Sequence, residues 1–287
     1  MSSSTSTATG GPGRAKPLLY PLELLRAVLL VFCLQLKRAL HLRSTLFAGL
    51  VAFLPVALAG MIFWISQERE LYTGPILLFS WLLQVRAVVP IVALLVGAGV
   101  VADEVDDRTI AYLLVRPFPR PALLLGRWIA VAVILSVLLS LSTSISLWVL
   151  GKAVVEASQD NYPPGFNLRI LVTVVSGGLV YSALFAAAGT ILRHPILVGA
   201  GYVFAVEGLL GSLPGEGQSM TVQFYLKSYL VAGDQRLRRV VELVPEAMGT
   251  VELVSPSDAL ITLAWIGGVA LTVGSLVLAR RQFVLSS

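Results

Sequence analysis

Cysteine occurs once, at Cys33, and histidine twice, at His41 and His194. One thiol excludes a disulfide framework within the chain, and two imidazoles far apart in sequence leave a metal site without its ligands. Charge is scarce as well. Asp, Glu, Lys and Arg make up 13% of the 287 residues, where a soluble domain carries about 25%. The glycine loop that cradles nucleotide phosphates is missing, since the nearest string, Leu150-Gly151-Lys152-Ala153, lacks both the first glycine and the hydroxyl residue. His-Glu-x-x-His, Gly-x-Ser-x-Gly and a Ser/His/Asp set on plausible elements are missing too. No residue is therefore assigned as catalytic or metal-binding, and the chain has no ATPase site of its own.

What fills the chain instead is hydrocarbon: 56% of its residues are hydrophobic, and its mean hydropathy is +0.85. A helix needs about 20 apolar residues to cross roughly 30 Å of hydrocarbon. Runs of that kind predict an all-α polytopic membrane protein with six spans, at 46–65, 76–102, 122–150, 168–192, 196–213 and 259–279. Residues 1–17, rich in Ser, Thr, Gly and Ala, read as a disordered cytosolic tail. Residues 18–45 alternate apolar turns with Arg26, Lys37, Arg38 and Arg43, the pattern of an interfacial amphipathic helix on anionic lipid. The last six residues, 282–287, read as a second tail.

Orientation follows from the cations beside the spans. One side holds thirteen: Arg14, Lys16, Arg26, Lys37, Arg38, Arg43, Arg108, Arg116, Arg120, Arg127, Arg193, Arg280 and Arg281. The other holds seven, Arg69, Lys152, Arg169, Lys227, Arg236, Arg238 and Arg239. Both termini and the acidic stretch 103–121 are then cytosolic, and the loop 214–258 is extracytoplasmic. Within that loop, 221–232 and 235–243 show helical spacing and are expected on the outer membrane surface. The net charge of +5 is accounted for by these flanking cations, so no nucleic-acid groove is implied.

Three sets of polar residues stand out. In the cytosolic stretch 103–121, acidic residues (Asp103, Glu104, Asp106, Asp107) precede basic ones (Arg116, Arg120), the order a helix macrodipole favours. Ile110, Leu113 and Leu114 share one face, and Pro117, Pro119 and Pro121 end the helix. A solvated turn would need no such apolar face. Inside the membrane, Arg86 and Glu207 are hard to accommodate, because a charge there costs about 2.5 to 3.5 kcal/mol unless paired, hydrated or snorkelling. At about 1.5 Å per residue both fall in the outer half of their spans, so an Arg86–Glu207 pair is expected, with separate snorkelling as its rival. Ser136, Ser140 and Ser144 form one stripe of the third span, fit to line a polar path or to pack helices. The same packing role suits Gly97, Gly99, Gly177, Gly178, Gly267 and Gly268.

A span ending in Gly97-Ala98-Gly99, then Asp103-Glu104, Arg108-Thr109-Ile110, Tyr112-Leu113-Leu114, Val115-Arg116-Pro117, Arg120 and Leu124-Leu125-Gly126-Arg127, resembles the cytosolic loop of ABC-2 type permeases. Those are membrane subunits of ATP-binding cassette exporters. The resemblance extends from about Leu18 through the ending Ser255-Pro256 to Arg280-Arg281-Gln282-Phe283, with a long outer loop as its departure. It implies a coupling helix made by Glu104, Asp106, Arg108, Thr109, Ile110, Leu113, Leu114, Arg116, Pro117 and Arg120, docking on a separate ATPase subunit. It also implies that ATP and Mg sit on that subunit, and that a second permease copy or homologue completes the pathway. Two other classes fit the residues alone: a membrane anchor or receptor holding a soluble partner, and an ion-coupled carrier.

Overall fold

A computed structural model describes residues 20–39, 43–66, 73–98, 120–152, 165–192, 194–211, 216–232, 234–242 and 253–280. The expected coupling residues from Glu104 to Pro117 lie outside these, as do the two tails and Arg193. Among the described residues every regular element is helical.

The chain opens with α1 (Tyr20–Ala39) and α2 (Arg43–Ile65). The second span is one continuous rod in three parts: α3 (Thr73–Phe79), a π-helical stretch π1 (Ser80–Val88), and α4 (Val89–Gly97). Then come α5 (Arg120–Gly151), α6 (Phe166–Ile191), α7 (Pro195–Gly201) running into a second π stretch, π2 (Tyr202–Leu210), and a short turn of 3-10 helix (Glu216–Met220). The chain closes with α8 (Val222–Val231), α9 (Gln235–Glu242) and α10 (Pro256–Arg280).

Local chemistry sets the boundaries. Gly165, at φ 72°, takes the left-handed turn that leads into α6. Before α10 the Ser255 hydroxyl accepts from the Asp258 amide at 3.2 Å and donates to its carboxylate at 2.7 Å, with Pro256 in the first turn where no amide is needed.

Around α6 the bundle closes, with α4, α5, α8 and α10 packed against it. Small residues allow the approach. A Cβ on Gly97 would stand 3.2 Å from the Ser182 backbone of α6, and one on Gly178 would stand 2.9 Å from Leu139 of α5. Gly268, by contrast, is exposed with open space beside it. One end of the bundle, here the proximal end, collects Gly97, Arg120, Ile191 and Arg280; the other, distal end collects Ile65, Thr73, Gly151 and Phe166 with α8 and α9.

Five helices are long and apolar enough to cross a membrane: Thr45–Ile65, Gly74–Gly97, Leu123–Gly151, Phe166–Ile191 and Pro256–Arg280. The sixth expected span, at 196–213, is the shorter apolar helix Pro195–Leu210, which at 1.5 Å per residue reaches about 24 Å. It does not need the full width, because α8 enters from the distal end and meets it. Here the expectation of a surface helix over 221–232 is corrected. Val222, Phe224, Leu226, Leu230 and Val231 are buried, and Leu226 lies where a Cβ on Gly177 would meet it at 3.0 Å. Gly177 is eleven residues, about 16 Å, from the Phe166 end of α6. Four of the seven residues 222, 224, 226, 228, 230, 231 and 223 are aliphatic, and a helix apolar on several faces belongs inside the bundle.

Candidate functional site

The two π stretches and the start of α8 meet in one buried polar cluster. A π-helix widens the turn to i→i+5 bonds and is commonly found at functional positions. In π1 the Val89 amide reaches back five residues to the Gln84 carbonyl. Pro90 follows at once. Proline has no amide to offer the carbonyl four residues earlier, which is that of Arg86. That carbonyl accepts instead from the Gln223 side-chain amide of α8, at 3.1 Å.

In π2 the wider turn has a different result. In an ordinary α-helix, residues five apart stand about 140° apart around the axis; here the Tyr202 hydroxyl donates to Glu207 Oε1 across that spacing at 3.1 Å. Glu207 is 2% exposed, and its carboxylate also accepts the first two amides of α8, Val222 N on Oε1 at 3.1 Å and Gln223 N on Oε2 at 3.2 Å. Thr221 caps the third, its hydroxyl accepting from Phe224 N at 3.2 Å. Helix N-termini leave such amides unpaired and carry partial positive charge, so a carboxylate there is favourable on both counts.

The other end of α8 is held by the opposite sign. Arg169, near the start of α6, donates from Nη1 to the carbonyl of Ala232, the C-cap residue, at 2.8 Å. A guanidinium at a helix C-terminus complements the macrodipole as Glu207 does at the N-terminus. Two buried polar side chains near the cluster have open hydrogen-bonding capacity. The Tyr181 hydroxyl, fully buried on α6, stands beside Glu207 and Gln223 without a hydrogen bond of ordinary geometry. Gln84 is 2% exposed, with neither end of its amide bonded.

Arg86 and Glu207, singled out in the sequence for their charge, are thus brought to the same helix end, Arg86 through its backbone oxygen and Glu207 through its carboxylate. Gln223, Tyr202, Tyr181 and Arg169 were not singled out. Pro90 was the readable signal for Gln223, since it frees a carbonyl that some donor must satisfy.

On α5 the stripe of Ser136, Ser140 and Ser144 turns outward from this chain: the first two are half-buried and Ser144 is exposed. Ser136 donates to its own Ala132 carbonyl at 2.7 Å and borders a shallow groove with Trp128 and Leu179. The inward serines are Ser142, which donates to the Ala52 carbonyl of α2, and Ser146, whose hydroxyl is buried without a partner. Among the described residues no group of His, Cys, Asp and Glu is arranged to hold a metal ion. Of the coupling residues only Arg120 falls in a described element, as the first residue of α5.

A family model described as "ABC-2 family transporter protein" matches residues 38–281. A comparison with curated proteins finds no match.

Proposed function

Since the chain belongs to the ABC-2 family of transporter proteins and is a membrane-spanning permease subunit of an ABC transporter, we propose that it forms the pathway of an exporter driven by a separate ATPase subunit. ATP and Mg are held by that subunit, which docks on the cytosolic segment 103–121. A second copy or homologue of the permease completes the pathway, in a plasma membrane with both termini in the cytosol.

The observation that carries this reading is the unbroken helical rod from Thr73 to Gly97. Its proximal end leads directly into the proposed docking segment. Arg86 lies eleven residues from Gly97, about 16 Å along the axis, and there the rod is bonded to α8 through Gln223. Closure of two ATPase subunits would displace the segment, the rod would carry the displacement, and α8, clamped between Glu207 and Arg169, is the discrete element that it would move. Export is the direction the family resemblance implies. Ile110, Leu113 and Leu114 supply the apolar contact with the ATPase, and Glu104, Asp106, Arg108 and Arg116 its charge complementarity.

The test is to replace Ile110, Leu113 and Leu114 together by Ser in the assembled transporter. The ATPase should no longer co-purify at wild-type levels, and substrate-stimulated ATP turnover should fall to the basal rate. Unchanged co-purification and stimulation would overturn the coupling assignment.

A further inference from the structure

An apolar cleft of about 680 Å³ opens between α2 and the second span, lined by Leu58, Met61, Ile62, Leu78, Phe79 and Leu82 with Gly74 and Pro75 at its mouth. From Gly74 to Leu83, the last residue of the second span that lines it, is nine residues, about 14 Å along the axis. That matches one leaflet, half of a hydrocarbon core about 30 Å thick.

The mouth lies where α2 ends and α3 begins. Trp64, 77% exposed one turn beyond Met61, is placed as interfacial tryptophans are. At the end of α5 the Lys152 ammonium stands 4.0 Å from the Trp148 ring centroid, and the adjoining Leu150 packs with Ile76 of α3. On another side of α3 sits α9. Its Leu237 is buried while Arg238 and Arg239 are exposed. An apolar slot one leaflet deep thus opens at the end of the bundle where α5 finishes just before Lys152 and where α9, packed on α3, carries Arg238 and Arg239. These cations lie on the side that the charge count of the spans leaves poor in Lys and Arg, so topology alone does not explain them.

We propose that this cleft is a binding site for an anionic phospholipid of the distal leaflet, with one acyl chain between α2 and α3 and the phosphate between Lys152 and the Arg238–Arg239 face of α9. The occupant is a lipid rather than a soluble anion because the cleft wall is hydrocarbon throughout. It is an anionic lipid because each nearby cation adds about 1 kcal/mol of attraction for a negative headgroup.

The full chain, purified and delipidated, is exposed to equal amounts of phosphatidylglycerol and phosphatidylcholine, and bound lipid is counted by native mass spectrometry. The wild type should retain phosphatidylglycerol about fivefold or more over phosphatidylcholine. Gly74→Phe should abolish retention of both, since Gly74 lines the cleft and a Cβ there would meet no protein atom within 4 Å, which leaves the ring room at the mouth. The triple change Lys152→Gln, Arg238→Gln and Arg239→Gln, confined to exposed side chains, should keep a lipid bound and lose the preference. Equal retention of the two lipids by the wild type, or undiminished retention by Gly74→Phe, would overturn the site.

Discussion

Glu207 is a buried carboxylate whose charge is met by a helix end. Replacing it by Ala would leave the amides of Val222 and Gln223 and the hydroxyl of Tyr202 without their recorded acceptor, and each buried polar group so orphaned costs about 1 to 3 kcal/mol. Glu207→Ala should therefore lower the thermal midpoint of the purified protein by several degrees or prevent its accumulation in the membrane. Exchange of Arg86 and Glu207 then separates two roles. A direct guanidinium–carboxylate pair would be restored by combining Arg86→Glu with Glu207→Arg. Capping of α8 would not, because an arginine at 207 offers those amides no acceptor. We expect the double exchange to remain as defective as Glu207→Arg in both thermal stability and transport, and recovery would show the direct pair to dominate. The cost of a charge at 207 was readable from the sequence. Its compensation was not, because the donors lie 15 and 16 residues onward in a helix whose docking is tertiary.

Among the elements, α1 shows how closely two helices can be brought together by one small residue. A Cβ on Gly126 of α5 would stand 2.8 Å from the Val28 carbonyl and 2.9 Å from Val31 Cβ of α1. The carbonyl belongs to helix backbone and cannot move aside alone. Gly126→Leu should push α1 off α5 at a cost of at least about 1 to 3 kcal/mol. The readout is the thermal midpoint of the purified protein, which should fall in the Leu variant; an unchanged midpoint would show that α1 is not held there. Gly126 belongs to the string Leu124-Leu125-Gly126-Arg127 that carries the family resemblance, so its position was legible. Its partner was not, since nothing in residues 20–39 announces which helix they cover. In α8 the limit is of another kind. Helical spacing over 221–232 was visible, yet a short apolar helix reads alike whether it lies on a membrane surface or inside a bundle.

For the whole molecule, the proposed orientation puts the proximal end, with Arg120 and Arg280, in the cytosol. Cys33, or a cysteine introduced at Ser2 or Ser287, should resist an impermeant thiol reagent in intact cells, whereas one introduced at Ser219, beside α8, should react. Labelling of both termini from outside would reverse the orientation, and with it the assignment of 103–121 as the segment that meets the ATPase. The lipid cleft would then face the cytosolic leaflet.

Composition and the spacing of apolar runs determined by themselves that this is an all-helical membrane protein. Water cannot enter hydrocarbon to satisfy a backbone, so about 20 apolar residues in a row call for a helix, which pairs every backbone group within the segment itself. The same local logic named Arg86 and Glu207 as residues needing compensation. Tertiary structure alone decided that the segment after the fifth span turns back into the bundle. It decided also that Glu207 and Arg169, 38 residues apart in sequence, hold opposite ends of one helix. Amphipathic period reports which faces of a helix are apolar; it does not report what they meet, and here buried carbonyls, amides and a carboxylate from four elements had to find one another in space before the site existed.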